Sequence, residues 1–585
     1  MLVSLHAAPS GCSRLSRSDP ASCADLARRL DATHPTRRLA SRLASSLFGS
    51  LSASLFASLA AALAGGLAGQ GLLWPERAAW TPLGLAGWLW LVGRSGPWRA
   101  PLSGGLFGTA FAWGSAPWLP DALERLGGPS TPGLLIALLL AAGVGGAPYG
   151  LLALVVDRTR RASPALRLAI LAGSVFLLET WVLRSRALPP WLLIGHAASG
   201  MQGLCQLAVA GGVPTLSAIL AASAHALALL AENPRDSIRR RLVIGLLGGL
   251  LSLAVVGEPA LRRLRGSDPG DGSESLSVLL VQPSLQPARR WDPGHQALHL
   301  ERLLRLSKRA LRDGAGDVDL VLWPETSITQ PLAQRPWLDA LRDGVAQLQV
   351  PLLAGTVRRA ARTPDSLVYR NAALLFDEEG DLVAGVEKAI PVPILEAAPE
   401  TRLERFLAGL ADRPPGGRSV ERVREGTSDL VPPKRIAVLL CYEALFADLS
   451  RSRRERDTLL LVQLADDGWI EDPAAVRQII RLTAFRAIEQ RLPLVRVSHG
   501  GLSVVIDEYG VLRHRLPEDR ESTFAYTAHP TRPAGPTERL AILSLPLLAL
   551  AGSLTLPMRR RGPPGLLDVS RPRAARRPRS HHPCP

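Results

Sequence analysis

Three chemically reactive side chains each follow a short apolar run in the second half of the chain. Glu325 ends the run LVLWPE, Lys388 ends GVEK, and Cys441 ends IAVLLC. A cysteine nucleophile needs a base to take its proton and a cation or amide to hold the oxyanion that forms after attack. Glu325 and Lys388 are chemically suited to those two tasks, so the three residues predict a covalent, thiol-based reaction.

Each of the three residues also has an ordinary structural explanation. A cysteine at the end of a strand is commonly a small buried hydrophobic residue. A glutamate after proline is typical of a helix cap, and a lysine is typical of a solvated surface charge. Residue type and spacing alone leave both interpretations open.

The segments around these residues predict an α/β domain, because β-rich apolar runs alternate with helical patterns. Strands are predicted at 276–281, 320–323, 351–355, 372–376, 436–440, 459–464, 494–497 and 502–506, and helices at 293–313, 335–348, 443–451 and 473–490. In such folds chemistry gathers at the carboxyl ends of strands, where the following turns converge. We therefore expect the three side chains to meet at one edge of a sheet.

The first half of the chain consists mostly of long Leu/Ala/Gly runs, and a helix needs about 20 apolar residues to cross a bilayer. Candidate spans lie near 44–73, 78–93, 102–119, 132–156, 165–183, 203–231, 241–257 and 539–557. The second and third are short and rich in Gly and Trp, so a re-entrant or tilted segment is the alternative there.

These patterns divide the 585 residues into five parts, since the chain is too long for one ordinary core. Residues 1–35 are expected to be a disordered N-terminal segment, and 36–257 a membrane domain with about seven transmembrane helices. Residues 258–538 form the globular α/β domain, 539–557 the last transmembrane helix, and 558–585 a basic cytoplasmic tail.

The formal net charge of +17 comes almost entirely from arginine and raises the question of nucleic-acid binding. Many of these arginines lie in short clusters between apolar runs, where topology signals belong. We therefore expect no nucleic-acid partner.

The other cysteines give no sign of a metal site or a second nucleophile. Cys12, Cys23, Cys205 and Cys584 have no CxxC pairing and no positioned base, and they are expected to be inert. The thiol, carboxylate and ammonium supply the chemistry, so neither a metal nor an organic cofactor is predicted.

The segments WPE, K…VP…E and CYE, in this order and at these separations, resemble the Glu-Lys-Cys triad of the nitrilase superfamily. The resemblance covers the entire globular half. The run KAIPVPILE, which ends in Glu396, and the pair Tyr442 and Glu443 after the thiol are similar to the apolipoprotein N-acyltransferase family. The DDGW and HGG segments and the multi-span layout are similar as well.

The chain departs from that family's pattern at three places. Ile390 stands where members usually carry a histidine, and Ile394 and Leu395 stand where they usually carry Phe-Gly. The run QLADD replaces an Asn-rich run. The triad is retained, whereas the loop packing around Glu396 and the preference for acyl chain or acceptor are left open.

The resemblance implies a nitrilase-like αββα sandwich on a multi-span α-helical membrane domain, and a two-step acyl transfer. A phospholipid would donate an acyl chain to Cys441 as a thioester, and the N-terminal amine of a diacylglyceryl-cysteine apolipoprotein would accept it. Glu325 would be the base, and Lys388 with a backbone N–H near Tyr442 would hold the oxyanion. The protein would act as a monomer in the bacterial inner membrane.

Four further residues have supporting roles in this interpretation. Glu396 and Glu443 either orient Lys388 and tune the triad or only make structural hydrogen bonds. Trp291 and Trp469 match family tryptophans and either hold a lipid chain or pack in the ordinary way.

Two rival functions remain at this point. A membrane-tethered amidase of the nitrilase type would use the same triad, with water in place of the lipoprotein amine. A non-catalytic scaffold protein would keep the fold alone, but such a protein would be expected to lose at least one triad member.

The arginines in short loops favour one orientation in the membrane. They cluster before the first span and after the second, fourth and sixth, whereas the alternate loops are poorer. Loops rich in Lys and Arg stay on the cytoplasmic side. Both termini are therefore predicted inside, and residues 258–538 on the periplasmic side.

This orientation predicts the accessibility of single cysteines in whole cells. A membrane-impermeant thiol reagent should label the Ser428→Cys variant above the parent chain and should leave Arg560→Cys unlabelled until the cells are permeabilised. Labelling of Arg560→Cys but not of Ser428→Cys in intact cells would contradict the orientation.

Overall fold

The computed structural model describes residues 35–125, 135, 137–186, 190–265, 275–285, 292–314, 316–329, 335–360, 368–392, 396, 434–468, 470 and 472–555. Apart from Pro35, the predicted terminal segment 1–35 lies outside this part of the chain, and so do the predicted tail 558–585, Trp291 and Trp469.

The first half of the described chain is helical. Its helices are α1 Pro35–Leu73, α2 Trp80–Arg94, α3 Arg99–Ser115, α4 Leu119–Arg125, α5 Ala147–Arg158, α6 Pro164–Ser185, α7 Gln202–Cys205, α8 Ala208–Gly211, α9 Val213–Glu232 and α10 Ser237–Arg265. A π-helical turn, Ala141–Gly146, precedes α5. Leu59, Leu63 and Leu177 are exposed on these helices, as expected of side chains that face lipid rather than water.

Six helices within the described ranges are long and apolar enough to cross a membrane. They are Ser54–Leu73, Ala137–Arg158, Pro164–Ser185, Val213–Glu232, Ser237–Pro259 and Pro536–Leu554. They overlap six of the predicted spans. At the second and third predicted spans, α2 and α3 have only 15 and 17 residues.

The predicted span 203–231 differs from the observed structure in its first third. Residues 202–211 form the two short helices α7 and α8, and the long helix begins only at Val213. Gly212 separates them with a φ of 76°, a conformation that glycine adopts without steric cost.

In the second half, strands of the described residues form two sheets. The first, of six strands, has the order β11-β1-β2-β3-β4-β5, and the second, of five strands, the order β10-β9-β8-β7-β6. Their bounds are β1 Leu276–Gln282, β2 Leu320–Ile328, β3 Leu352–Ala360, β4 Val368–Phe376, β5 Leu382–Glu387, β6 Ile436–Leu440, β7 Leu460–Ala465, β8 Leu494–Ser498, β9 Val504–Ile506, β10 Leu512–Arg515 and β11 Ser522–Ala528.

Helices cover the outer face of each sheet and complete four layers. The helices of this half are α11 Gln296–Arg312, α12 Arg335–Ala346, α13 Ala447–Ser452 and α14 Pro473–Gln490, and α15 Pro536–Thr555 follows. Leu280, Leu322 and Val462 pack between the sheets, α11 and α12 cover the first sheet, and α14 covers the second. The predicted αββα sandwich on a helical membrane domain is therefore confirmed.

The packing of β2 leaves Glu325 on an unexpected face. Side chains alternate along a strand, and Val321 and Trp323 point to the outer face covered by helices. A regular continuation would send Glu325 to the same outer face. Instead, Glu325 accepts a hydrogen bond from Asn371, which shares the inner face of β4 with Ala373.

An irregularity in β2 causes this change of face. Its parallel pairing with β3 shifts between Trp323 and Ile328, and Thr326 has a φ of 49°. An irregularity of this kind re-aims the side chains that follow it. Gly355 on β3 makes room for it, because a Cβ there would lie 2.3 Å from the Pro324 carbonyl oxygen.

The sandwich rests on the membrane domain through α14. The Gln478 side chain donates to the Ser115 carbonyl at 3.0 Å and accepts from Trp118 Nε1 at 3.1 Å. Arg481 donates to the Leu73 carbonyl at 2.6 Å. These contacts satisfy groups at the carboxyl ends of α1 and α3, where carbonyls lack partners within the helix.

The close approach at Gly355 predicts the effect of one added methyl group. Gly355→Ala should destabilise the protein by about 1–3 kcal/mol, the usual cost of overpacking, and should displace Glu325. We expect a lower thermal unfolding midpoint and slower alkylation of Cys441 by iodoacetamide. Gly535→Ala is the control, since a Cβ there meets no atom within 4 Å. Equal unfolding midpoints and equal alkylation rates in the two variants would contradict the proposal that Gly355 makes room for the irregularity in β2.

Candidate active site

Cys441 lies at the turn that follows β6. It begins a 3₁₀ helix, Cys441–Leu445, and has a φ of 49°. A residue with a side chain rarely adopts this left-handed conformation, and such strain persists where surrounding contacts enforce it. One such contact is Gln463 Nε2, which donates to the Cys441 carbonyl oxygen at 2.8 Å. Part of the residue remains exposed.

Lys388 is the centre of the charged cluster beside this turn. Its Nζ lies 2.8 Å from Glu325 Oε1 and 2.8 Å from Glu396 Oε1. The Lys388 side chain is 0% exposed and that of Glu325 is 3% exposed. A buried ammonium is stable only when it is paired and hydrogen-bonded, and two carboxylates provide that pairing.

Backbone contacts hold the members of the cluster in place. Lys388 follows β5, and its N–H donates to the Asn371 carbonyl at 2.7 Å. Asn371 Nδ2 donates to Glu325 Oε1 at 2.7 Å, so one residue of β4 fixes both partners. Glu396 Oε2 accepts from the Val392 N–H at 2.8 Å.

The electrostatics favour a neutral thiol beside an available base. Burial raises the pKa of Glu325 to about 7, and the Lys388 charge opposes that rise. Burial and the Glu325 carboxylate raise the pKa of the Cys441 thiol well above its usual range. Burial alone would lower the pKa of Lys388, but Glu325 and Glu396 raise it, so the ammonium stays charged. A carboxylate with a pKa near 7 suits general base catalysis at neutral pH.

Glu443 holds the backbone on both sides of the cluster. Its Oε1 accepts from the N–H groups of Ala389 and Ile390 at 2.6 and 3.2 Å, and its Oε2 accepts from the Leu440 N–H at 2.8 Å. Arg453 pairs with both oxygens at 2.6 and 3.0 Å. Glu443 therefore links the turn after Lys388 to the strand end before the thiol, without contacting the lysine ammonium.

Tyr442 connects the turn at Cys441 to the membrane domain. Its ring packs edge-on against Trp191 with centroids 6.3 Å apart, and against Phe446 at 5.2 Å. Trp191 in turn packs against Trp118 at 5.8 Å. Aromatic contacts of this kind stabilise packing beyond simple area burial.

A second ion pair fixes the loop after β7. Arg496 makes two bonds to the Asp467 carboxylate, at 2.8 and 2.5 Å, and Ser498 Oγ donates to it at 2.8 Å. The pair supports Asp466, whose backbone N–H faces the Cys441 sulfur and lowers the pKa of the thiol against the effect of burial.

The structure thus brings together six of the eight residues that the sequence analysis singled out. Glu325, Lys388, Glu396 and Cys441 form one electrostatically coupled cluster, and Tyr442 and Glu443 flank it. Trp291 and Trp469 lie outside the described residues. Cys205, which was expected to be inert, is buried among membrane helices, where its Sγ contacts the Ala198 carbonyl.

Sequence reasoning missed three residues that serve the site. Asn371 is a polar residue inside the apolar run NAALLF, and that contrast was the available signal. Arg453 lies in an arginine-rich segment and gave no such signal. His499 lies in the HGG segment, and its Nε2 is 2.7 Å from the Glu325 carbonyl oxygen, a contact that depends on the fold and left no signal in the sequence.

Two family models match the chain. The carbon-nitrogen hydrolase model matches residues 280–529. The model of the apolipoprotein N-acyltransferase N-terminal domain matches residues 64–226. The two matches correspond to the sandwich and to the helical half.

Several curated relatives of this chain share the name apolipoprotein N-acyltransferase. An apolipoprotein N-acyltransferase of Brucella melitensis biotype 1 is 31% identical over 384 residues, which cover 64% of this chain and 70% of the relative. The same enzyme of Brucella suis biovar 1 is 32% identical over the same shares. That of Geobacter metallireducens is 28% identical over 343 residues, 57% of this chain and 63% of the relative.

Solved structures of nitrilase type are similar at a lower level. Nit3 of Saccharomyces cerevisiae, a member of branch 10 of the nitrilase superfamily, is 15% identical with a TM-score of 0.34, and the match covers 50% of this chain and 100% of Nit3. A carbon-nitrogen hydrolase of Helicobacter pylori G27 is 14% identical with a TM-score of 0.32, covering 43% and 89%.

The raised pKa of Glu325 predicts that the rate of Cys441 alkylation depends on pH. Only the ionised carboxylate accepts the thiol proton, so alkylation of Cys441 should slow as the pH falls through about 7. Glu396 contributes to this raised pKa by its negative charge. Glu396→Gln should therefore shift the midpoint of the pH profile to lower pH, whereas the exposed control Glu379→Gln should leave it in place. An unchanged midpoint of the pH profile in Glu396→Gln would refute the effect of the Glu396 charge on the pKa of Glu325.

Proposed function

The chain belongs to the apolipoprotein N-acyltransferase family, and on this basis we propose that Glu325, Lys388 and Cys441 carry out its acyl transfer. The observation that carries the proposal is the buried Lys388 ammonium, which lies 2.8 Å from the Glu325 carboxylate beside the strained turn of Cys441. The relatives' shared name and the two domain matches favour lipoprotein N-acylation over hydrolysis of a small amide.

The first half-reaction forms a thioester. Glu325 takes the proton of Cys441, and the thiolate attacks the ester carbonyl of a phospholipid. Lys388 and a backbone N–H at the nucleophile turn stabilise the tetrahedral oxyanion. Collapse breaks the ester C–O bond, Glu325 returns the proton to the departing oxygen, and a lysophospholipid leaves.

The second half-reaction transfers the chain to an amine. The N-terminal amine of a diacylglyceryl-cysteine lipoprotein attacks the thioester carbonyl, and Glu325 accepts the proton that the nitrogen loses. The C–S bond breaks as the amide forms, and Cys441 regains a proton from Glu325. The buried Lys388 holds the same oxygen in both steps, so one electrostatic arrangement serves both.

Both proposed substrates carry long apolar chains and therefore lie in the bilayer. This explains why the sandwich is joined to a membrane domain. The chain is a bacterial membrane protein with several helices able to span the bilayer. A donor ester lies near the headgroup level, so a nucleophile must be held close to the bilayer surface. The contacts of α14 with Leu73 and Ser115 fix the sandwich at one end of the membrane helices.

We further propose that the sandwich faces the periplasm, and the arrangement of the arginines supports this. Arg160 donates to the carbonyls of Val92 and Ser95 at the carboxyl end of α2. Arg167 and Arg239 pair with Glu232 at the carboxyl end of α9. Three arginine-bearing loops therefore meet at one end of the bundle. The contacts of the sandwich are at the other, where α1 and α3 end.

The triad can be tested by following its two half-reactions separately. Cys441→Ser should abolish turnover, because the hydroxyl pKa is far higher than that of a thiol, and Cys205→Ser is the matched control that should retain it. Glu325→Gln should slow both thioester formation and aminolysis, since a proton moves in each. Lys388→Ala should slow both by a factor of about 100–1,000.

Mass spectrometry of the acyl-enzyme, followed by a chase with diacylated lipopeptide, measures the two steps. Lys388→Arg should not restore either, because a planar guanidinium cannot replace a compact ammonium between two carboxylates. Normal thioester formation in both Glu325→Gln and Lys388→Ala would overturn the assignments, even with Cys441 essential.

A further inference from the structure

A carboxylate lies inside the membrane domain, on helix α6. Glu179 is 7% exposed, and α6 is one of the helices long and apolar enough to span a bilayer. Ionisable side chains within such helices are costly, and they usually mark a functional contact in the interior of the bundle. The acyl transfer proposed above makes no use of Glu179, so its contacts must indicate its role.

Glu179 binds the segment that links α6 to α7. Its Oε1 accepts a hydrogen bond from the Ile194 N–H at 2.8 Å, whereas its Oε2 has no hydrogen-bond partner within the described residues. Ile194 begins a 3₁₀ helix, Ile194–Gly200. The first N–H groups of a helix have no partner inside the helix. Glu179 therefore caps this 3₁₀ helix from a neighbouring element.

A serine on α9 provides a second cap. Ser217 Oγ accepts from the Gly195 N–H at 2.7 Å. Gly195 permits this close approach, since a Cβ there would lie 2.7 Å from the Val213 carbonyl oxygen. Glu179 and Ser217 are both buried, and a buried N–H that loses its acceptor is left without compensation. One residue of α6 and one of α9 thus fix the same end of the 3₁₀ helix.

The capped segment reaches the candidate active site through Trp191. This tryptophan lies three residues before Ile194, and its ring packs edge-on against that of Tyr442, with centroids 6.3 Å apart. Tyr442 directly follows Cys441, at the turn whose backbone N–H is proposed to hold the oxyanion. A misplacement of about 1 Å in a catalytic group can reduce a rate about 100-fold. The position of this segment therefore bears on the reaction.

We propose that Glu179 and Ser217 are positioning residues for the acyl transfer. They fix the start of the 3₁₀ helix and thereby the tryptophan that precedes it. Trp191 in turn fixes the turn at Tyr442, where the oxyanion forms. This inference rests on the proposed function. It assigns to two buried polar groups of the membrane helices an effect on a rate that is set in the sandwich.

The first test compares two serines on the same helix. Ser217→Ala removes the acceptor of the Gly195 N–H. Ser223→Ala is the matched control, because Ser223 is also buried and its Oγ donates to the Ile219 carbonyl of its own helix at 2.9 Å. Ser217→Ala should slow thioester formation about 3-fold to 10-fold, the rate equivalent of one lost hydrogen bond. Ser223→Ala should keep the parental rate, measured by mass spectrometry of the acyl-enzyme.

The second test uses a disruptive and a conservative change of Glu179. Glu179→Leu should slow thioester formation by a similar factor. Glu179→Gln should restore most of the lost rate, because its amide oxygen still accepts from Ile194 and its nitrogen replaces the Oε2 atom that has no partner in the described chain. A rate in Glu179→Gln as low as that in Glu179→Leu would overturn the inference.

Alkylation of Cys441 by iodoacetamide separates positioning from general damage. This displacement forms no tetrahedral oxyanion, so neither Glu179→Leu nor Ser217→Ala should slow it. Equal slowing of alkylation and of thioester formation would indicate a general disturbance of the site and would also overturn the inference.

A double-mutant cycle tests the route through Trp191. Trp191→Ala should slow thioester formation by itself. In that background Glu179→Leu should add little further loss, because the side chain that it positions is already absent. Losses that multiply in the double variant would show that Glu179 acts independently of Trp191, contrary to the inference.

The outcomes separate this inference from the function on which it rests. Failure of the wild-type protein to form a thioester on Cys441 would refute the proposed function. A wild-type thioester, together with equal rates in Ser217→Ala and Ser223→Ala, would refute only the positioning role.

Discussion

The buried ammonium of Lys388 is the constraint on which the rest of the site depends. An isolated charge in the interior would lose its proton, and the two carboxylates of Glu325 and Glu396 prevent this. The same contacts define where Glu325 must lie, which explains why β2 departs from regular pairing. The irregularity, the glycine opposite it and the bond from Asn371 all follow from the need to bring one carboxylate to the inner face.

Two carboxylates of the candidate site, Glu325 and Glu443, have different surroundings. Glu325 is buried beside the thiol, and its raised pKa makes it available as a base. Glu443 is equally buried but bonded to three backbone N–H groups and to Arg453, so its lone pairs are already occupied. Glu443 links the turn after Lys388 to the strand end before Cys441. Glu325 and Glu443 are the same residue type, so the difference between them comes from their surroundings.

The sequence was most informative where burial imposes a regular pattern. Helix α14 spans 473–490 as predicted, because Asp472 and Pro473 mark its start and buried apolar residues recur along it. Strand β6 ends at Leu440 as predicted, because it is apolar throughout. Strand β10 was not predicted, because its sequence LRHR is mostly polar and exposed. Strand β11 was not predicted either, although Phe524 and Tyr526 alternate along it toward the core between the sheets. The predicted helix 443–451 is a 3₁₀ turn followed by the short helix α13.

The candidate residues could be selected from the sequence because reactive groups are concentrated in a few residue types. Cysteine, lysine and glutamate at strand ends stand out in an apolar background. The contacts of residues such as Asn371, Arg453 and Gln463 were not found, because they depend on which parts of the chain become neighbours. Pairing of β6 with β7 brings Gln463 beside the Cys441 carbonyl, and that proximity is a property of the folded sheet.

The arginines at the far end of the membrane helices act at two different times. The general bias of arginine toward the cytoplasmic side predicts that, during insertion, these charges keep their loops on one side of the bilayer. Once the helices have assembled, Arg167 and Arg239 share Glu232, and Arg160 donates to the carbonyls that end α2. The same arginines that are expected to set the topology therefore also join the helices of the folded bundle. A neutral substitution at these positions would therefore combine an error of insertion with a weakness of assembly, and the two would appear at different stages of the protein's life.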